Sequence, residues 1–398
     1  MNVSKRTRAF LVTSVLALSL LTSAVAFAAP AKKITVKVDK ITVATDVKPL
    51  TSGKTALISL KTIANGLGAT TSWSAKTKKA TIQTTAVKLV FTVNGKTKTY
   101  TVNGVKKSLA TPARLSGKKA MIPADALSKG LGGSAKLSGK TLTIKYFSGL
   151  GNLKVTGSST LGPVMQSAAK KTNGFGGTKV TVGISDSGAG IKDTMQGLNN
   201  LGMSSRKLEP AKGEKGLKAY SVALDGIALI VNPKLTGVSG LTEAQARDIF
   251  LGKITNWRTV GGPNKAIKVY TRETGSGTRS SLQDLLLGKA ADGSKNDVVR
   301  SATISKSSTL IKQAVAKNTY AIGYDSIGFV DKTVKTLSLN KIKPSKSTVK
   351  SGKYLLSRSL FLVTKGKAVG KKARLIDYLK TAYAQSNHVS KTGYIAIR

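Results

Sequence analysis

The chain contains no cysteine and a single histidine, His388. Those absences exclude disulfide staples, cysteine nucleophiles and most zinc or copper chemistry, and they leave any fold to be held by packing alone. A lipid anchor on a cysteine is excluded as well. A Ser-His-Asp site is not expected with one histidine near the C-terminus, so no catalytic residue, metal or cofactor is assigned. Aromatic residues make up only 5%, too few to interleave with cations as nucleic-acid binding requires. Acids are scarce too: 17 Asp and Glu stand against 65 Lys and Arg, a formal charge of +48. Residues 29–147 carry 22 basic against three acidic residues, and residues 148–398 carry 40 against 14. The charge is scattered along both parts, which points to attraction toward a polyanionic surface such as a phosphate-bearing cell wall or anionic lipid headgroups.

One apolar run stands out. Lys5, Arg6 and Arg8 precede an apolar stretch over residues 9–21, and Ala26-Phe27-Ala28 supplies small residues for cleavage. This predicts a signal peptide over residues 1–28, cut after Ala28, and export to the cell exterior. No later apolar stretch is long enough to span a bilayer.

Two composition regimes meet near residues 146–151. Residues 29–147 form the first, a β-rich segment. The alternation of Thr, Val and Lys over residues 33–43 predicts half-exposed strands. Asn94-Gly95 is expected to supply the tight turn of a hairpin over residues 91–104. An internal repeat relates residues 52–69 to residues 116–133 at a constant offset of 64, each copy ending a helix at a glycine, Gly68 or Gly132. The "GLGA…W…K.ATI" pattern of this region resembles the domain named after the N-terminus of copper amine oxidases, a stalk module of Gram-positive surface proteins. The "SLK" and "PAD" runs depart from that family's Pro-Leu-Arg. With no His or Cys in this region, no copper and no oxidase activity are inferred, and a structural or adhesive stalk is the default reading. Trp73 is read as packing in a hairpin.

The second regime, residues 148–398, alternates strands and helices, which predicts an α/β fold with largely parallel sheets. Thr242 and Gln245 form a capping box for one helix, Trp257 is read as core, and residues 372–385 read as a final helix. Four segments place glycines and hydroxyls where a strand ends and a helix is expected to begin: residues 157–160, 185–190, 202–206 and 272–279. Helix N-termini present unpaired amides and partial positive charge, so several converging on one point surround a tetrahedral oxyanion with donors. An arginine beside one of them adds a two-pronged, charge-assisted contact.

In order, "TGSST", "SGAG", "LGMSSRKL", "DGIALIVNP", "IFLGKITNW", "TGSGTR" and "AIGYDS" resemble the phosphate-binding proteins of phosphate ABC transporters. The resemblance implies two α/β lobes joined by a hinge, of the periplasmic-binding-protein type, with crossings near residues 230–233 and 320–329. It also implies inorganic phosphate as ligand, a membrane permease as partner, and no enzymatic activity. Carried over by position, the ligand residues are Ser159, Thr160 and the Leu161 amide, then Ser187, then Arg272, Ser276, Gly277 and Thr278. Some relatives carry a carboxylate in the third segment, where this chain has Ser205. Asp225 is the nearest substitute, either as an acceptor for the proton of hydrogen phosphate or merely as a cap for backbone amides. Arg206 either pairs with an acid of the opposite lobe or is solvated. The expectation is a monomeric, exported phosphate-capture protein held near the cell surface by a basic stalk. The alternatives are a binder of another oxyanion or phosphorylated compound, and a structural or adhesive wall protein that keeps the binding fold.

Overall fold

The computed structural model describes residues 34–397, and the expected signal peptide lies outside them. The repeat seen in the sequence folds as two copies of one unit. Strands Leu50–Ser52 and Thr55–Ser59 lead into helix Leu60–Leu67; strands Arg114–Ser116 and Lys119–Pro123 lead into helix Ala124–Gly130. The copies meet by antiparallel pairing of Leu57, Ile58 and Ser59 with Pro123, Ile122 and Met121. Gly68 and Gly132 both adopt positive φ, 67° and 70°, which only glycine takes without strain. Ser59 caps the first helix with its side chain, whereas Pro123 in the same place offers no side-chain cap.

The hairpin expectation is corrected. Strands Lys88–Thr92 and Thr99–Val102 pair across a six-residue connection, in which the Asn94 side chain accepts from the Lys96 and Thr97 amides. The tight two-residue turn falls instead at Asn103-Gly104, both at positive φ, joining Val102 to Val105.

From Gly151 onward the fold is α/β, with two lobes built on one continuous curled sheet. In the first lobe, strand Gly151–Ser158 runs parallel to Thr178–Ser185 and Leu201–Ser204. The long strand Leu217–Val231 pairs antiparallel with Ser357–Lys365 from Leu217 to Gly226, then with Ala321–Ser326 from Ile227 onward. One strand thus serves both lobes, and it changes partners between Gly226 and Ile227. The hinge crossings therefore lie at residues 226–227 and, on the return, just before Ser357, not near 230–233 and 320–329. Residues 321–326 belong wholly to the second lobe, paired there with Leu217–Val231 and Lys268–Arg272.

Each lobe has its own core. Trp257, Phe250, Tyr324 and Leu337 centre the second, and Trp257 donates its indole N–H to the Tyr320 carbonyl at 3.0 Å. The capping box of Thr242 and Gln245 on helix Glu243–Phe250 is present. The core of the first lobe runs without a break into the N-terminal region: Phe147 packs edge-on against Tyr378 at 5.3 Å, and Tyr146 lies beside Phe147. The expected final helix is two pieces, Gly370–Leu379 and Ala382–Ala384, because Thr381 turns the chain and caps the second.

Among the described residues no helix is long and apolar enough to cross a membrane. No group of three or more His, Asp or Glu there is arranged to hold a metal ion.

Candidate functional site

Backbone packing in the first lobe starts from glycine. A Cβ at Gly157 would lie 2.9 Å from Gly190 Cα, and one at Gly190 would lie 2.6 Å from Gly157 Cα. Without side chains, strand Gly151–Ser158 and helix Ser187–Gln196 touch backbone to backbone. That brings Ser158, Ser159, Thr160 and Ser187 into one buried cluster. Asp186 caps the helix by accepting from the Ala189 amide at 2.8 Å, leaving Ser187 at its first turn. Ser204 and Ser205 end strand Leu201–Ser204 beside it. This third segment leads into a loop rather than a helix, so only its position matches the expectation.

The second lobe supplies the opposing wall. Arg272 ends strand Lys268–Arg272, and Ser276 caps helix Gly277–Leu282. Arg272 is 1% exposed, and a guanidinium so buried must be fully engaged. It bonds Glu273 through Nε at 2.8 Å and Nη2 at 2.7 Å, Ser308 Oγ at 3.1 Å, and Ser159 Oγ of the first lobe at 3.3 Å.

Further contacts span the lobes. Thr160 and Thr278 hydroxyls meet at 3.1 Å, the Gly188 amide donates to the Gly275 carbonyl at 3.0 Å, and Ser281 donates to the Ser205 carbonyl at 2.9 Å. A Cβ at Gly277 would run into Ser187 Oγ and come within 2.6 Å of Ser205 Oγ. Ser187 and Ser205 hydroxyls lie 3.3 Å apart. Thus Ser159, Thr160, Ser187, Ser205, Arg272, Ser276, Gly277 and Thr278 gather where the lobes close. Leu161 is buried with them at the head of helix Gly162–Thr172; its amide faces Ser158 Oγ at 3.4 Å.

Asp225 is fully buried, but both its oxygens are taken. Ser326 donates to Oδ1 at 2.6 Å, and Arg358 grips Oδ2 through Nε at 3.0 Å and Nη2 at 2.8 Å. Its reach toward the cluster runs through Arg358, whose Nη2 also donates to Thr278 Oγ1 at 3.0 Å and whose Nη1 donates to the Ser205 carbonyl at 3.1 Å. Arg206 is likewise corrected: it pairs with Glu214 in its own lobe, at 2.5 and 3.0 Å. The contact across the cleft is made by Glu209 beside it, which accepts from Ser280 and Lys295, both at 3.1 Å.

Arg358, Ser308, Asp325 and Tyr394 were not among the sequence candidates. Ser308 was findable: it opens helix Ser308–Lys317 behind the capping Ser307, a hydroxyl-rich helix start outside the four segments. Arg358 has no local signal, since its partner is 133 residues away. Tyr394 donates to the Thr160 carbonyl and fixes the first segment from beneath. Asp325 lies behind Arg272; its Oδ2 is buried without a hydrogen-bond partner, and burial pushes its carboxyl up to about 7 against the pull of Arg272. His388 bonds Ser167 at 2.8 Å and Tyr378 at 2.7 Å, and burial, with Lys171 and Lys391 nearby, lowers it to about 4. A neutral imidazole with a tyrosine where an orienting acid would stand packs the lobe.

Two lobes sharing a strand, closed over hydroxyls, helix-start amides and one guanidinium, define a bilobal binding protein with an anion-type site. Residues 145–382 match the PBP superfamily domain, and residues 37–146 match the copper amine oxidase N-terminal domain. The chain is 32% identical to the phosphate-binding protein PstS of Bacillus subtilis, over 62% of this chain and 81% of that one. It is 29% identical to PstS of Borreliella burgdorferi, over 62% of this chain and 90% of the other. Among solved structures it is similar to a Clostridium perfringens protein described as a phosphate ABC transporter substrate-binding protein with bound phosphate. That match has 34% identity and a TM-score of 0.57, and it covers 62% of this chain and all of the other. An ABC-type phosphate transport receptor from Vibrio cholerae matches at 33% identity and a TM-score of 0.52, over 61% and 99% of the two chains. The chain belongs to the PBP superfamily, in the family of PstS phosphate-binding proteins.

Proposed function

We propose that this protein captures inorganic phosphate outside the cell and hands it to the membrane permease of an ABC transporter. The observation that carries the reading is the buried Arg272, which reaches Ser159 across the cleft amid Thr160, Ser187, Ser205, Gly277 and Thr278. Donors of this kind hold an oxyanion strongly because the closed lobes exclude water. Ser159, Thr160, the Leu161 amide, Ser187, Ser205, Arg272, Ser276, Gly277 and Thr278 are the proposed ligand contacts. Asp225 acts on them by orienting Arg358. The names of the PstS relatives support phosphate as the ligand.

Export by the N-terminal signal, and retention at the cell surface by the basic N-terminal domain, complete the reading. Retention rests on the excess of 22 basic over three acidic residues in that domain.

Calorimetric titration with orthophosphate and sulfate tests it. Orthophosphate is expected to bind and to raise the unfolding temperature, the stabilisation approaching ~4 kcal/mol at a thousandfold excess over Kd. No heat with orthophosphate would refute it. A second reading, another oxyanion, is favoured by Ser205 standing where a proton-accepting carboxylate is found in some relatives. Sulfate displacing phosphate would select that reading.

A further inference from the structure

In the N-terminal region every carboxylate is consumed inside the fold. Asp39 accepts from the amides of Tyr146, Phe147 and Ser148. Asp46 accepts from Ser59 and Thr62 and sits 3.5 Å from Lys119, and Asp125 accepts from Thr55. The remaining cations of this region have no carboxylate to pair with among the described residues. Part of that charge rings a groove. A cavity of about 680 Å³ is bounded by Trp73, Leu115, Lys78, Arg114 and Lys118. A second, of about 340 Å³, shares Trp73 and Lys118 with it and adds Lys61, along with Lys119 and the Asp46 carboxylate it pairs with.

The groove forms between the two repeats. Trp73 comes from the hairpin of the first copy, while Arg114, Leu115 and Lys118 come from the strand and turn that open the second. At the offset of 64 the counterpart of Trp73 is Leu137, so an aliphatic residue suffices for packing there. The indole is half-buried, and Leu115 beside it is 48% exposed. A flat aromatic face flanked by unpaired cations fits a chain of alternating carbon-rich units and phosphodiesters.

We propose that this groove binds a linear polyol-phosphate or sugar-phosphate polymer, with Trp73 against the carbon units and Lys78, Arg114 and Lys118 on the phosphates. The proposal rests on the reading that the basic domain holds the protein at an anionic surface, but not on the anion site between the lobes. A concave groove suits a strand better than a flat lipid surface, and a single aromatic residue gives no stacking ladder for successive bases.

The test titrates the full chain with poly(glycerol phosphate) while following tryptophan fluorescence. Trp257 is fully buried, so a change in emission reports Trp73. Saturable binding is expected. The triple variant Lys78→Gln/Arg114→Gln/Lys118→Gln should bind about tenfold or more weakly. Trp73→Leu, which copies the other repeat, should keep the wild-type melting curve and also weaken binding, read by calorimetry. Undiminished affinity in the triple variant would overturn the proposal. So would tighter binding to phosphatidylglycerol vesicles or to single-stranded DNA than to the polymer. Orthophosphate titration of the same variants separates the two sites: polymer binding without orthophosphate binding would sink the uptake reading alone.

Discussion

At the scale of single residues, the cleft depends on groups that have no slack. Arg272 → Ala removes a buried guanidinium and leaves Glu273 and the hydroxyls around it unpaired; orthophosphate affinity should fall about a hundredfold or more in calorimetry. Arg272→Lys keeps the charge but not the fork, and should recover only part of the loss. Gly277→Ala tests closure rather than charge, because its methyl would occupy the space of Ser187 and Ser205 hydroxyls. It should weaken the ligand without unfolding the second lobe, as judged by affinity against melting temperature. Arg358→Met removes the cation that opposes the burial-driven rise of the Asp225 carboxyl and leaves that buried group with Ser326 as its remaining side-chain partner. Urea denaturation should register a loss of about 3–5 kcal/mol, and adding Asp225→Asn should restore part of it. A variant unchanged in stability would mean that Asp225 takes up a proton or finds solvent without cost.

At the scale of elements, the closed cleft carries a titratable fastener. Burial works to raise the Glu209 carboxyl, but hydrogen bonds from Lys212 and Lys295 outweigh it and hold the group at about 2, below its ordinary 4.5. A depressed acid contributes its stabilisation above its unperturbed value and loses it as pH falls toward the lowered one. Lys212 stays with Glu209 when the lobes part, so the share owed to Lys295 is what closure gains. Closure should loosen within the window from about pH 4.5 to 2, seen as an increase in radius of gyration by small-angle scattering. Glu209→Gln should flatten that dependence.

Elements also explain what could be read in advance. Glycine and hydroxyl patterns announced three of the strand-to-helix junctions because such junctions need those residue types locally. The fold class followed from alternation, and the site from resemblance in motif order. The hinge was misplaced because no break in the strand marks it: Leu217–Val231 runs through Asp225-Gly226 as one strand, and only its partners change there. Asn94-Gly95 looked like a tight turn by composition, yet Asn103-Gly104 carries the positive φ pair. Arg358 and Asp325 were missed since their roles arise from partners more than fifty residues distant.

At the scale of the whole molecule, the N-terminal region is welded to the first lobe. Asp377 on helix Gly370–Leu379 accepts from the Thr85 amide at 2.8 Å and the Tyr146 hydroxyl at 2.9 Å. From the same helix, Arg374 donates to the carbonyls of Leu131 and Gly132. A Cβ on Gly68 would drive into the Asp377 carbonyl. Gly68→Ala should therefore cost about 1–3 kcal/mol in thermal unfolding and open residues 146–151 to limited proteolysis. If the variant stays as protease-resistant as the wild type, the docking is not what stabilises this junction.

That weld decides which part of the machine can swing. The hinge sits between the lobes, while the charged N-terminal region and the first lobe share one core. Under the surface retention proposed above, that pair would be the stator and the second lobe the rotor. Each capture or release would then swing residues 227–356 and leave the mass proposed to hold the surface still.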